Sequence, residues 1–149
     1  MRAVVASLAA AIFTCALATS ALAAPPARQA LAADHPILGI WRLTLPEMKC
    51  SETYRFRADG TSLVTSAAEI SESVYTIPNE PGGEGFYRME DRVTRDNGKP
   101  DCSGNVMKPD SRVVRFIRFH PSGELFVMCA DASLEACIGP FERVRGEEV

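Results

Sequence analysis

From Ile37 onward, apolar and polar residues mostly alternate, the two-residue period of a strand with one buried face. Residues 37–45 place Ile37, Trp41, Leu43 and Leu45 on one face. Residues 50–57 place Tyr54 and Phe56 on one face and Thr53, Arg55 and Arg57 on the other. Ala58-Asp59-Gly60 predicts a hairpin turn, with Gly60 free to take a positive φ. Further strands are predicted at 61–67, 70–77, 86–94, 112–119, 124–129 and 138–145. Pro81-Gly82-Gly83 and His120-Pro121-Ser122-Gly123 supply breaks between them. Residues 66–73 are too short, and lack the 3.6-residue period, to read as a helix. Many short strands joined by turn signals imply an up-and-down barrel or a sandwich. A closed barrel leaves no unpaired sheet edge. The expectation is therefore an all-β chain: a small up-and-down antiparallel β-barrel of about eight strands.

Ahead of that pattern, residues 1–23 lack alternation and read as a secretory signal peptide. Arg2 forms a short positive start, an apolar run follows, and Ala21-Leu22-Ala23 matches an A-x-A cleavage site. The small polar residues Ser7, Thr14, Thr19 and Ser20 favour cleavage after Ala23 over an uncleaved anchor, so no stable membrane insertion is expected afterwards. Ile12-Phe13-Thr14 ahead of Cys15 matches a lipobox poorly, so Cys15 is expected to leave with the signal. Residues 24–36, rich in proline and alanine, read as a linker, and 37–149 as the barrel domain. Cleavage leaves 15 basic against 19 acidic groups, a net charge of −4. That excludes a nucleic-acid binder reading mainly phosphates, which needs clustered positive charge. A hydrophobic content of 46% and a charged content of 23% exclude a disordered chain.

Gly39-Ile40-Trp41 in the first strand resembles the G-x-W of lipocalins and other calycins. It follows a short N-terminal segment, as in that family. The resemblance implies a lipocalin-like barrel over roughly 37–145. It also implies a basic residue near the last strand that covers the tryptophan, a part open to Arg143 or Arg145. The hairpin from Tyr54 to Thr61 is similar to one in small bacterial lipocalin-like proteins. Gly39-x-Trp41-x-Leu43, with Cys50 nine residues after Trp41, is also similar to the opening of bacterial periplasmic metalloprotease inhibitors, themselves small calycin-type barrels. The later sequence departs from that family, so its inhibitory residues do not transfer.

Four cysteines remain after the signal: Cys50, Cys102, Cys129 and Cys137. An even number in an exported chain implies two disulfides, and the lack of any C-x2-C pair argues against a zinc site. In an up-and-down meander all four border or occupy connections at one end, here termed the top; the tight turns fall at the other. Of three possible connectivities, Cys129–Cys137 and Cys50–Cys102 are favoured. The first pair flanks one connection between neighbouring strands. The second ties the start of strand two to the long connection 95–111, across the mouth. Chain entropy assigns these about 2.5 and about 4 kcal/mol, large against a typical total of roughly 5–15 kcal/mol.

Catalytic chemistry finds little footing. No G-x-S-x-G, P-loop or H-E-x-x-H occurs. His35 falls in the linker and His120 in a bottom turn, and both are expected to be solvent-exposed. Glu52 shares a face with Cys50, Tyr54 and Phe56, so it is expected inside the barrel, paired with Arg88, Arg115 or Arg143. Arg115 and Arg118 should point to opposite faces.

The functional expectation is an exported, non-enzymatic binding protein, periplasmic or secreted, with no cofactor and no metal. Its partner is expected to be a protein, engaged in an inhibitor-like or immunity-like way by the stapled top loops. Val106 and Met107 would form an apolar tip, flanked by Lys99 and Lys108. The alternative is a carrier of a small apolar ligand in an interior lined by Trp41, Tyr54, Phe56 and Glu52. A small secreted hydrolase is a second alternative.

Overall fold

A computed structural model describes residues 30–146. The expected signal peptide, its cleavage site, Cys15 and the start of the linker lie outside the described residues. The strands are β1 (Gly39–Leu45), β2 (Cys50–Phe56), β3 (Thr61–Ser66), β4 (Glu69–Thr76), β5 (Tyr87–Asp96), β6 (Arg112–Phe119), β7 (Leu125–Cys129) and β8 (Cys137–Val144). Each pairs antiparallel with the next, and β8 returns to β1, closing the barrel. The eight expected strands are all present, with ends displaced by no more than two residues.

The bottom of the barrel is shut by an arginine and a tryptophan. Trp41 is fully buried, and its indole Nε1 donates to Ile37 O at 2.8 Å. The Arg143 guanidinium lies 4.1 Å from the centre of the indole ring. Its Nη2 and Nη1 donate to Pro36 O and Leu38 O at 2.7 and 2.8 Å, and its Nε donates to Gly123 O at 3.2 Å. Gly39 is needed where it stands. Its φ is +118°, and a Cβ there would lie 2.9 Å from Arg143 Nη1. Above this clasp, Phe126 packs edge-on against Trp41 and stacks on Phe141 with centroids 4.5 Å apart. Phe56, Tyr75, Met89 and Ile117 complete the core.

Residues 30–38 pack beneath this core. His35 is not exposed, contrary to the sequence expectation: it is 4% accessible. Its Nδ1 accepts from Ile37 N at 3.1 Å, its Nε2 donates to Pro78 O at 3.1 Å, and its ring meets the edge of Tyr87. Proline content marks the segment as non-helical, but it carries no signal that a histidine within it satisfies two backbone groups. His120 is exposed, and its Nδ1 meets Ser122 Oγ within its own turn.

At the top, Cys50 bonds Cys102 and Cys129 bonds Cys137, the connectivity favoured from the sequence. Cys129 and Cys137 are direct cross-strand partners, so that bridge closes the β7–β8 connection locally. Cys102 lies in the loop between β5 and β6 and ties it back to the start of β2.

Arg143→Ala removes the ring contact and all three carbonyl bonds. It is expected to lower stability by about 2–4 kcal/mol in urea unfolding. Arg143→Lys should recover less than half of that, because an ammonium lacks the planar fork of fixed donors and the flat face that covers the indole. Burial holds the His35 imidazole below its ordinary 6.5, opposed by its bond to Pro78 and by Asp34 and Glu80. On acidification the unfolded chain therefore takes up this proton first, and His35 stability is lost as pH drops below about 6.5. The stability gap between wild type and His35→Asn should narrow between about pH 7 and about pH 5.

Candidate functional site: the stapled rim

The loop between β5 and β6 is ordered by its own short polar side chains. Asp96 Oδ1 accepts from Gly98 N at 2.7 Å, and Asn97 Oδ1 from Lys99 N at 3.1 Å. Asp101 Oδ1 accepts from Ser103 N and Asn105 N, both at 2.8 Å. The loop is also fixed to the strands it crosses. Asn97 N donates to Ile70 O at 3.1 Å and Asn97 Nδ2 to Ala68 O at 2.9 Å, both at the β3–β4 turn. Cys102 N donates to Ser66 Oγ at 2.9 Å, at the end of β3. The loop therefore leaves β5, crosses the β2–β4 side of the mouth, and returns to β6.

Beneath it the barrel interior turns polar. β4 has an inverted pattern: Glu69, Ser71, Ser73 and Tyr75 are buried, while Ile70 faces solvent. Ser62 and Ser66 on β3 are buried as well. Glu52 lies inside, as expected, at 8% exposure. Its bonding partners are hydroxyls rather than the expected arginine. Tyr54 donates to Oε2 and Ser66 Oγ to Oε1, each at 2.6 Å. Ser66 had not been placed because a serine inside a strand gives no hydrophobic-pattern signal. Arg143 is committed to Trp41, and Arg88 to the exposed Glu90. Arg118 faces out over the Phe86 ring, whereas Arg115 is partly buried, directly across from buried Met89.

Burial first, then the nearby Glu52 carboxylate, pushes the Tyr54 phenol far above its ordinary range, so it remains a donor. Burial pushes the Asp91 carboxyl up to about 6, against the opposing pull of the Ser73 hydroxyl and Arg115. Burial, followed by Asp96, Asp101 and Glu52, pushes Glu69 up to about 7. No group of three or more His, Cys, Asp or Glu among the described residues is arranged to hold a metal ion.

The outer rim has a different chemistry. The exposed large apolar side chains among the described residues are Met48, Ile70, Val106, Met107, Val114, Leu134 and Ile138. All but Val114, which faces outward from within β6, lie in top connections or at the top ends of strands. The bottom turns contribute none. Val106 and Met107 are 50% and 41% exposed, and Lys108 next to them and Lys99 earlier in the same loop are exposed. Ser103 Oγ approaches Met48 Sδ at 3.9 Å, so the long loop and the β1–β2 connection form one surface. Met48, Ile70, Leu134 and Ile138 were missed because each reads as an ordinary strand or loop residue until the top connections are brought together.

The expected ligand-lining residues have other neighbours. Trp41 and Phe56 are core residues, and Tyr54 packs edge-on against Phe141. Five surface grooves of between 210 and 460 Å3 are open to solvent, and none is lined by Trp41, Glu52, Tyr54 or Phe56. The closed eight-strand barrel is compatible with a lipocalin-like fold, and the disulfides are compatible with an oxidising extracellular or periplasmic location. No protein-family model, curated protein or solved structure matches the chain.

Ser66→Ala deletes the hydroxyl that joins Glu52 to the Cys102 amide. The Cys102 amide should exchange about tenfold faster by NMR, while Tyr75 N, bonded to Gly60 O at the other end, keeps its rate.

Proposed function

We propose that this chain is an exported, non-enzymatic binding protein of lipocalin-like architecture that engages a protein partner through its stapled rim. One observation carries the reading: six of the seven exposed large apolar side chains among the described residues gather at a single end of the barrel. Exposed apolar side chains concentrated at one end of a small domain mark an interaction site more often than chance exposure. Both disulfides secure connections at that end. A loop held in its bound shape loses less conformational entropy when a partner docks. Lys49 follows Met48 and Lys108 follows Met107, which gives the surface a polar complement.

Carriage of an apolar ligand inside the barrel has less support. Trp41, Phe126 and Phe141 are in ring contact across the interior, and a ligand there has to part them. The interior carboxylates serve the fold rather than a reaction. His35, which would be the natural proton carrier, has both ring nitrogens engaged at the opposite end.

The test uses the mature protein with a C-terminal affinity handle, since β8 runs from the rim toward the bottom. Wild type, the Val106→Asp/Met107→Asp double variant and the bottom-turn control Ser122→Asp are each expressed in the native host's export pathway, and native mass spectrometry is run on what each retains. Wild type and control should retain the same protein, and the double variant about tenfold less. Equal retention by the double variant, or retention of a small apolar molecule instead of a protein, overturns the reading.

A further inference from the structure

Three buried side-chain oxygens among the described residues meet no hydrogen-bond donor: Glu69 Oε1, Asp91 Oδ1 and Asp96 Oδ2. Two of them belong to neighbours. Glu69 opens β4 and Asp96 ends β5, with Asp96 directly across from Ser71, two residues along the same face from Glu69. Both orphaned oxygens are buried on this shared inner face, and a side-chain hydrogen bond with Asp96 is among the causes that raise Glu69. Two facing acceptors leave both orphaned, whereas one shared proton satisfies both. We propose that Glu69 and Asp96 share a single proton that latches the 97–111 loop onto the β3–β4 turn, and that loss of this proton loosens the loop.

The latch sits at the root of the loop. The second oxygen of Asp96 accepts from Gly98 N and so shapes the first turn. The next residue, Asn97, makes both bonds to the β3–β4 turn. Ser66, the cross-strand partner of Glu69, holds the Cys102 amide. Displacing Asp96 therefore strains three bonds at once, while the Cys50–Cys102 bridge keeps the loop tethered.

The surroundings give the proton its importance. Glu52 from β2, Asp96 from β5 and Asp101 from the loop all face Glu69 with negative charge. The buried-side cation, Arg115 on β6, acts on Tyr54 and Asp91 instead. Glu72, on the strand of Glu69, faces outward and pairs with Arg95. Lys99 on the loop is exposed to solvent. Once the proton passes to solvent, two buried charges oppose each other with no cation between them. Glu69 is held at about 7, well above its ordinary 4.5. The folded state therefore binds the proton more tightly than the unfolded chain, and the stabilisation is lost as pH rises through about 7. The loop that opens is the one that presents Val106 and Met107. The latch itself involves no partner, so its test stands apart from the partner reading.

Amide exchange is measured by NMR on the oxidised protein from about pH 6 to about pH 8.5, as protection relative to intrinsic rates. The Asn97 and Cys102 amides should lose about tenfold in protection over that range in wild type, while Tyr75 keeps its own. Glu69→Gln and Asp96→Asn each replace the shared proton with a permanent amide donor, so each should abolish the pH dependence. Should one variant fold poorly, the other tests the same bond from the opposite side. Constant wild-type protection across the range overturns the latch. So does a pH dependence that survives in a folded variant.

Discussion

A closed barrel needs both its seam and its ends made secure, and here one guanidinium does most of that at the bottom. Arg143 sits on β8, yet its hydrogen bonds reach Pro36 and Leu38, more than a hundred residues earlier. It thereby ties the last strand to the segment preceding the first. Every other strand pairing joins sequence neighbours, whereas β8 with β1 is the long-range closure. The same cation covers Trp41, whose indole holds Ile37 and fills the base of the core. Gly39 keeps the approach open. The three residues work as one device: the ring supplies area, the cation supplies fixed donors, and the glycine supplies room.

With the bottom closed this way, the top is free to be chemically different. Packing near Trp41 is aromatic and fully buried. Toward the rim the inward positions become serine and carboxylate. Such an interior is stable only when its polar atoms are satisfied, and hydroxyl-to-carboxylate bonds around Glu52 do this without a buried arginine. The lid above it is held by backbone donors and a disulfide rather than by a hydrophobic core. Stability is therefore distributed unevenly: packing below, hydrogen bonds and covalent staples above.

How much of this was legible depends on which signal each residue carries. Alternation marked the strands because most inward faces are apolar, as with Trp41, Leu43 and Phe56. The direction of the meander gathered four cysteines at one end, and the short connection between Cys129 and Cys137 favoured the pairing found. Alternation also placed Glu52 inside, but it could not name Tyr54 and Ser66 as its partners, because strand period gives a face and not a neighbour. β4 was the hardest strand to read: its Ile70 points out and its serines point in. His35 escaped for a related reason, since a single histidine among prolines and alanines has no periodicity to betray its burial. Of the rim, Val106 and Met107 were visible as apolar residues in a polar loop. Met48, Ile70, Leu134 and Ile138 join them only through folding.

The distribution of amines has a practical consequence. The lysines of this chain are Lys49, Lys99 and Lys108, and all three lie exposed at the top, whereas arginine serves everywhere else. Reagents that acylate side-chain amines will therefore decorate one pole of the molecule. A surface coupled through those lysine side chains holds the protein rim-down and buries that pole. Attachment through the opposite pole leaves that face toward solution.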